Sequence, residues 1–130
     1  MTNKRIETDA APAAIGPYCQ AVAAGEWLFC SGQLGLDPKS GEMVGAGDVA
    51  AEARQVLRNL DAVLGAAGIS RGDVVKATVY LTDMGEFSTV NQVYAEFFEG
   101  SVPPARATVQ VAALPKGAKV EIDFTARRGG

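Results

Sequence analysis

Histidine is absent from this chain of 130 residues. That absence removes the commonest general base, the commonest metal ligand and every triad that depends on imidazole. Any catalysis falls to carboxylates, Arg, Lys, Tyr, Ser, Thr, Cys or backbone groups. A run of like charges is also missing. With 12 Lys and Arg against 15 Asp and Glu, the net charge is −3, and nothing electrostatic recruits nucleic acid or an anionic membrane. No apolar stretch approaches the ~20 residues that span a bilayer. The N-terminal MTNKRIETDA lacks the apolar region of a signal peptide, so a cytoplasmic location is the expectation. Cys19 and Cys30 have no CxxC spacing and no histidine neighbours, which supports neither zinc nor a redox relay. Gly32-Gln33-Leu34-Gly35 lacks the lysine of a phosphate loop, and Arg71-Gly72-Asp73 reads as a turn before a strand.

What is present is ordinary for a globular protein: 48% hydrophobic and 21% charged residues, enough for one core and one domain spanning 1–130. Residues 1–16 read as an irregular lead-in and 127–130 as a tail. Tyr18–Ala23 and Glu26–Gly32 are strand-like runs around an Ala24-Gly25 hairpin loop. That register would set Cys19 opposite Cys30, within reach of a bridge, although two buried free thiols suit a reducing cytosol. Leu36–Gly41 is a turn. Asp48 is placed to cap a helix whose Val49, Ala53, Val56, Leu57, Leu60, Val63, Leu64 and Ala67 recur at helical spacing, ending at Gly68-Ile69. Val74–Leu81 is the strongest strand. Asp83 and Glu86 read as a capping box for a second helix carrying Phe87, Val90, Tyr94, Phe97 and Phe98, which stops near Gly100. Pro103-Pro104 forces an extended entry to a strand over 105–111, and the last strand runs over 119–126. This order predicts an α+β domain with two helices on one face of a mixed, mostly antiparallel sheet. The uncovered face points to self-association.

Two charged residues stand out near the C-terminus. Arg106 alternates with Thr108 and Gln110; a guanidinium is a fork that binds a carboxylate or phosphate bidentately. Glu121 lies between Val120 and Ile122, and a carboxylate in an apolar setting can shift its pKa and move protons. The residues alone also fit two solvated strand faces, or an exposed ion pair of small worth. If the last two strands pair as a simple hairpin, the loop register decides whether these side chains share a face. Tyr18 and Ser31 fit a packed ring and a strand end as well as a pocket. Asn91, one turn from Phe87 and Tyr94, needs a hydrogen-bond partner in a loop or a ligand.

PYCQAV at Pro17 to Val22, SGQLGLDPKSGE at Ser31 to Glu42, NQVYAEFF at Asn91 to Phe98 and PPARATVQVAALPKGAKVEI at Pro103 to Ile122 resemble the reactive intermediate deaminase A (RidA/YjgF) family. The likeness runs from about Ala11 to Arg128. It implies a chorismate-mutase-like α+β fold, a homotrimer and sites in the clefts between subunits. The implied activity is hydrolysis of 2-iminobutanoate and 2-iminopropanoate, unstable products of pyridoxal-phosphate enzymes, to 2-oxo acids and ammonia. Neither cofactor nor metal is implied. By this resemblance Arg106 looks like the carboxylate-binding arginine, and Glu121 falls on the acidic residue that handles water and protons. Tyr18, Ser31 and Asn91 fall on pocket positions, with Gly32 following the pocket serine. Thr108 stands where many members have Cys; it is placed to position substrate, and thiol chemistry does not transfer. Two other classes compete: a module that captures a carboxylate metabolite without turnover, and the endoribonuclease or translation inhibition reported for some relatives. The acidic balance and missing histidine count against the latter.

Overall fold

The computed structural model describes residues 2–129; Met1 and Gly130, the ends of the expected domain range, lie outside them. Six strands form one sheet: β1 (Lys4–Ile6), β2 (Ala21–Ala24), β3 (Trp27–Gln33), β4 (Val74–Leu81), β5 (Ala105–Gln110) and β6 (Val120–Arg127), in spatial order β1-β2-β3-β6-β4-β5. Only β4 and β5 pair in parallel; the other pairings are antiparallel. Helices α1 (Val49–Ala66) and α2 (Phe87–Phe97) pack against each other and against the sheet.

The predicted α1 stripe is the core. Ala53, Val56, Leu60, Val63 and Leu64 are fully buried and share one cluster with Val120, Ile122, Phe124 and Ala126 of β6. Each large aliphatic side chain so enclosed contributes about 1.5–3 kcal/mol. Asp48 Oδ1 accepts from the Ala50 and Ala51 amides at 3.0 and 3.2 Å and starts the helix. At the other end Gly68, at φ +71°, lets the Ile69 amide donate back to the Leu64 carbonyl at 2.9 Å, the six-to-one bond of a Schellman motif.

α1 also carries a buried polar stripe. Asn59 Nδ2 donates to the carbonyls of Leu34 and Leu36, both at 3.0 Å, and Glu52 Oε1 accepts from the Lys119 amide at 2.9 Å. The helix thereby grips the segment leaving β3 and the segment entering β6. A Cβ on Gly35 would meet the Glu52 carbonyl oxygen at 2.8 Å, so this close approach requires glycine.

Several expectations need correcting. The lead-in is not wholly irregular: Lys4–Ile6 pairs with β2, hydrogen-bonding an edge that would otherwise stand open, and three residues are too few to show alternation. Arg127 belongs to β6 rather than to a tail. The first hairpin turns at Gly25-Glu26, because Gly25 at φ +62° leads the loop, the glycine place of a type II′ turn. Ala24 therefore opposes Trp27, Ala21 opposes Cys30, and Cys19 does not face Cys30; both thiols are free. Burial pushes the Cys30 thiol up to about 12, with Asp123 adding to the shift. Asp83 caps a 3-10 turn (Met84–Glu86) through the Gly85 amide, while the Glu86 carboxylate pairs with Lys119 Nζ at 3.3 Å instead of reaching back. β5 and β6 do not form a hairpin, since β4 lies between them. Both edges of β6 are taken by antiparallel neighbours, β3 on one side and β4 on the other, so β5 pairs with β4 instead.

Candidate functional site

β6 alternates cleanly. Val120, Ile122, Phe124 and Ala126 are buried under the helices, so Glu121, Asp123 and Thr125 point to the opposite, open face. Phe29, Trp27 and Val109 are exposed apolar side chains, and Phe29 pairs with Thr125 of that same face.

Beside Glu121 opens a cavity of about 600 Å³, lined by Tyr18, Ser31 and Gly32 and by Leu34, Leu36, Pro115 and Lys116. One wall is held by Gln20, a buried residue that the sequence reading passed over. Its Oε1 accepts from the Thr8 amide at 2.7 Å, and its Nε2 lies 3.1, 3.2 and 2.7 Å from the carbonyls of Thr8, Ala11 and Pro12. A buried amide is retained when its hydrogen bonds are satisfied, and these bonds fix the loop that brings Tyr18 to the cavity. Ser31 donates its hydroxyl to the Cys19 carbonyl at 2.6 Å. Its proton is therefore engaged, leaving the oxygen's lone pairs to accept from a ligand.

Glu121 is half-buried and its pKa is raised, first by desolvation and then by the charge of Asp123. Asp123 in turn accepts from the Tyr80 hydroxyl at 2.9 Å. Gly32 makes room for the Glu121 side chain: a Cβ there would run into the carboxylate, with Glu121 Cδ at only 2.8 Å. Gly32→Ala is expected to displace the carboxylate, which is the free end of its side chain, without disturbing the core. Any turnover that depends on this carboxylate should fall roughly 10- to 100-fold, as misplacement of a reacting group does, while thermal unfolding shifts little. Equal turnover in both proteins would remove Gly32 from the site.

Arg106 lies elsewhere. It pairs with Ala77 and Thr108 pairs with Val79, and both β4 partners are buried under the helices. Directly paired residues point to the same side. Arg106 and Thr108 therefore face the helix layer, whereas Glu121 faces away from it. Arg106 Nη1 donates to Asn91 Oδ1 of α2 at 2.8 Å, and its guanidinium carbon sits 4.8 Å from the Tyr94 ring centre and 5.5 Å from that of Phe87. Asn91 is exposed rather than buried. One chain thus brings together Tyr18, Ser31, Gly32 and Glu121 as one group, and Arg106, Asn91 and Thr108 as another. Six of the seven lie on the elements the sequence predicts, whereas Tyr18, expected at the start of a strand, sits in the loop before β2. The division itself was not revealed, because it hinges on β4 standing between β5 and β6.

Lys116 is a second residue the sequence did not single out. At the cavity rim it holds φ +59°, the only non-glycine residue with positive φ among those described, and Gly117 follows at +68°. With the Ala118 amide donating to the Pro115 carbonyl at 3.1 Å, this is a type I′ turn, which favours Asn-Gly. Lys116→Asn is expected to stabilise the fold by about 0.5–1 kcal/mol by relieving a left-handed lysine. A rise of a few degrees in the thermal midpoint checks it, and a fall refutes it.

An α+β domain with two helices on a six-stranded mixed sheet, a loop-walled cavity at a half-buried carboxylate and an oriented arginine on the opposite face defines the class. Residues 8–128 match the family model described as Endoribonuclease L-PSP. A 2-iminobutanoate/2-iminopropanoate deaminase of Mus musculus is 54% identical over 129 residues, covering 99% of this chain and 94% of that protein. YyfA of Yersinia pestis, a member of the conserved Rid protein family of unknown function, superposes with a TM-score of 0.94 at 46% identity, covering 97% of this chain and 99% of that one. TdcF of E. coli, solved with bound serine, gives 0.93 at 47% identity with 97% and 99% coverage. The chain belongs to the RidA/YjgF family.

Proposed function

We propose that this protein hydrolyses reactive 2-imino acids, 2-iminobutanoate and 2-iminopropanoate, to 2-oxo acids and ammonia. The observation that carries the reading is the pair of charged groups prepared for opposite tasks. Arg106 is oriented with most of its N–H donors unengaged among the described residues, and Glu121 is a half-buried carboxylate with a raised pKa at the wall of a cavity. The guanidinium would take the substrate carboxylate through two charge-assisted hydrogen bonds and so fix the imine carbon. Glu121 would remove a proton from water as the oxygen bonds to C2 and the C=N π electrons move to nitrogen, and would pass that proton to the nitrogen, giving a carbinolamine. It would then take the hydroxyl proton and deliver it to the same nitrogen as the C–N bond breaks, so that ammonia leaves and the C2 oxygen becomes the oxo group. Tyr18, Ser31 and Thr108 would position substrate and water. No step requires imidazole.

Since Arg106 and Glu121 point to opposite faces within one chain, the reading joins Arg106 of one subunit to the cavity of the next, in a homotrimer with sites between subunits. The exposed Phe29, Trp27 and Val109 supply apolar surface for that contact. Ribonuclease action gains no comparable support: the net charge is −3 and histidine is absent.

The test is to generate 2-iminobutanoate with threonine dehydratase in the presence of semicarbazide. Added protein should divert the flux from the trapped imine to 2-oxobutanoate. Unchanged trapping rejects the activity, and a light-scattering mass of one chain rejects the shared site.

A further inference from the structure

The surroundings of Arg106 do more than anchor it. α2 presents Phe87, Asn91 and Tyr94 at spacings of four and three, one stripe along the helix. The guanidinium lies within 6 Å of both ring centres, at cation–π range. One N–H donates to Asn91 at 2.8 Å; a guanidinium has five N–H donors, and the others have no partner among the described residues. Tyr94 is 5% exposed, yet its hydroxyl has no hydrogen-bond partner among the described residues. Its contact with Arg106 is made by the ring.

We propose that Phe87, Asn91 and Tyr94 form a cradle that fixes the orientation of Arg106, and that they are positioning residues acting only through the guanidinium. This rests on the reading of Arg106 as the carboxylate fork. An uncradled arginine loses rotamer freedom when it binds, whereas a planar fork already held in place loses less per hydrogen bond formed. The cradle therefore belongs to affinity for the carboxylate and not to the proton transfers at Glu121. Asn91 itself does not touch the ligand.

Titration calorimetry of the intact protein with 2-oxobutanoate, alongside imine turnover, tests this. Asn91→Ala and Tyr94→Leu should each raise Kd and KM about tenfold and change kcat much less. Tyr94→Phe should recover most of the loss seen in Tyr94→Leu. In an Arg106→Lys background, adding Asn91→Ala should change Kd by less than about twofold, because the ammonium has no fork to orient. The cradle is overturned if Asn91→Ala weakens binding equally in both backgrounds, since Asn91 would then contact the ligand directly. It is equally overturned if Tyr94→Phe is as damaging as Tyr94→Leu, or if Asn91→Ala, a surface change that leaves the core intact, binds like wild type. Were Arg106→Lys alone to leave Kd unchanged, the carboxylate role of Arg106 would fall, and the cradle's purpose with it.

Discussion

Arg106→Ala is expected to weaken 2-oxobutanoate binding by roughly 10²-fold or more and to abolish measurable diversion of imine flux. Two hydrogen bonds to a charged group are each worth about 1.5–3 kcal/mol, and about 1.4 kcal/mol is tenfold. The residue is exposed, and its contacts with α2 are a hydrogen bond to Asn91 and the rings of Phe87 and Tyr94. The folded protein should survive, so the loss reads out recognition and not stability. Calorimetry with a circular dichroism melt separates the two. An alanine variant that binds and turns over like wild type would show that the carboxylate is held elsewhere.

Glu121→Gln should reduce turnover by roughly 10²- to 10⁴-fold, the usual worth of a positioned proton-transfer group, while 2-oxobutanoate still binds. Its pH dependence has a definite sign. Burial, and after it Asp123, raises the Glu121 pKa above the ordinary 4.5. The base form is therefore lost as pH falls through that raised value, and activity declines on the acid side earlier than an ordinary glutamate would dictate. Asp123→Asn removes a neighbouring charge and should move this acid limb to lower pH. The linkage to folding runs the other way from a salt-bridged acid. The folded state holds the Glu121 proton more tightly than the unfolded chain, so its contribution to stability declines as pH rises from about 4.5 through the raised value. Glu121→Gln should accordingly be no less stable than wild type at neutral pH. A variant that is both inactive and markedly less stable contradicts this, and one that keeps full activity removes Glu121 from the chemistry.

Much of this was legible in the sequence for local reasons. Asp48, the apolar repeat from Val49 to Leu64 and Gly68-Ile69 specify α1 with its cap and its stop, all within one element. Val74–Leu81 is β-branched enough to declare itself. The candidate site residues were legible through motifs lying within single segments, such as Ser31-Gly32 and the run around Arg106. What escaped depends on pairing between distant segments. The parallel union of β4 with β5 comes through the α2 crossover, and the insertion of β4 beside β6 through pairing of strands far apart in the chain. Lys4–Ile6 is a strand only because β2 offers an edge. Asn91 was marked as a pocket residue, yet its partner Arg106 lies 15 positions away on another element. Gly32 was marked for following a serine, whereas its structural reason is the Glu121 carboxylate.

The opposite facing of Arg106 and Glu121 carries a genetic consequence. If each site takes its arginine from one subunit and its carboxylate from the next, every subunit serves two sites. A chain bearing both substitutions would then poison its neighbours in a mixed assembly, a dominant effect. Two chains each bearing one substitution would restore some intact sites when co-assembled. Inheritance of activity in this protein would follow the mixing of subunits, not the number of good copies.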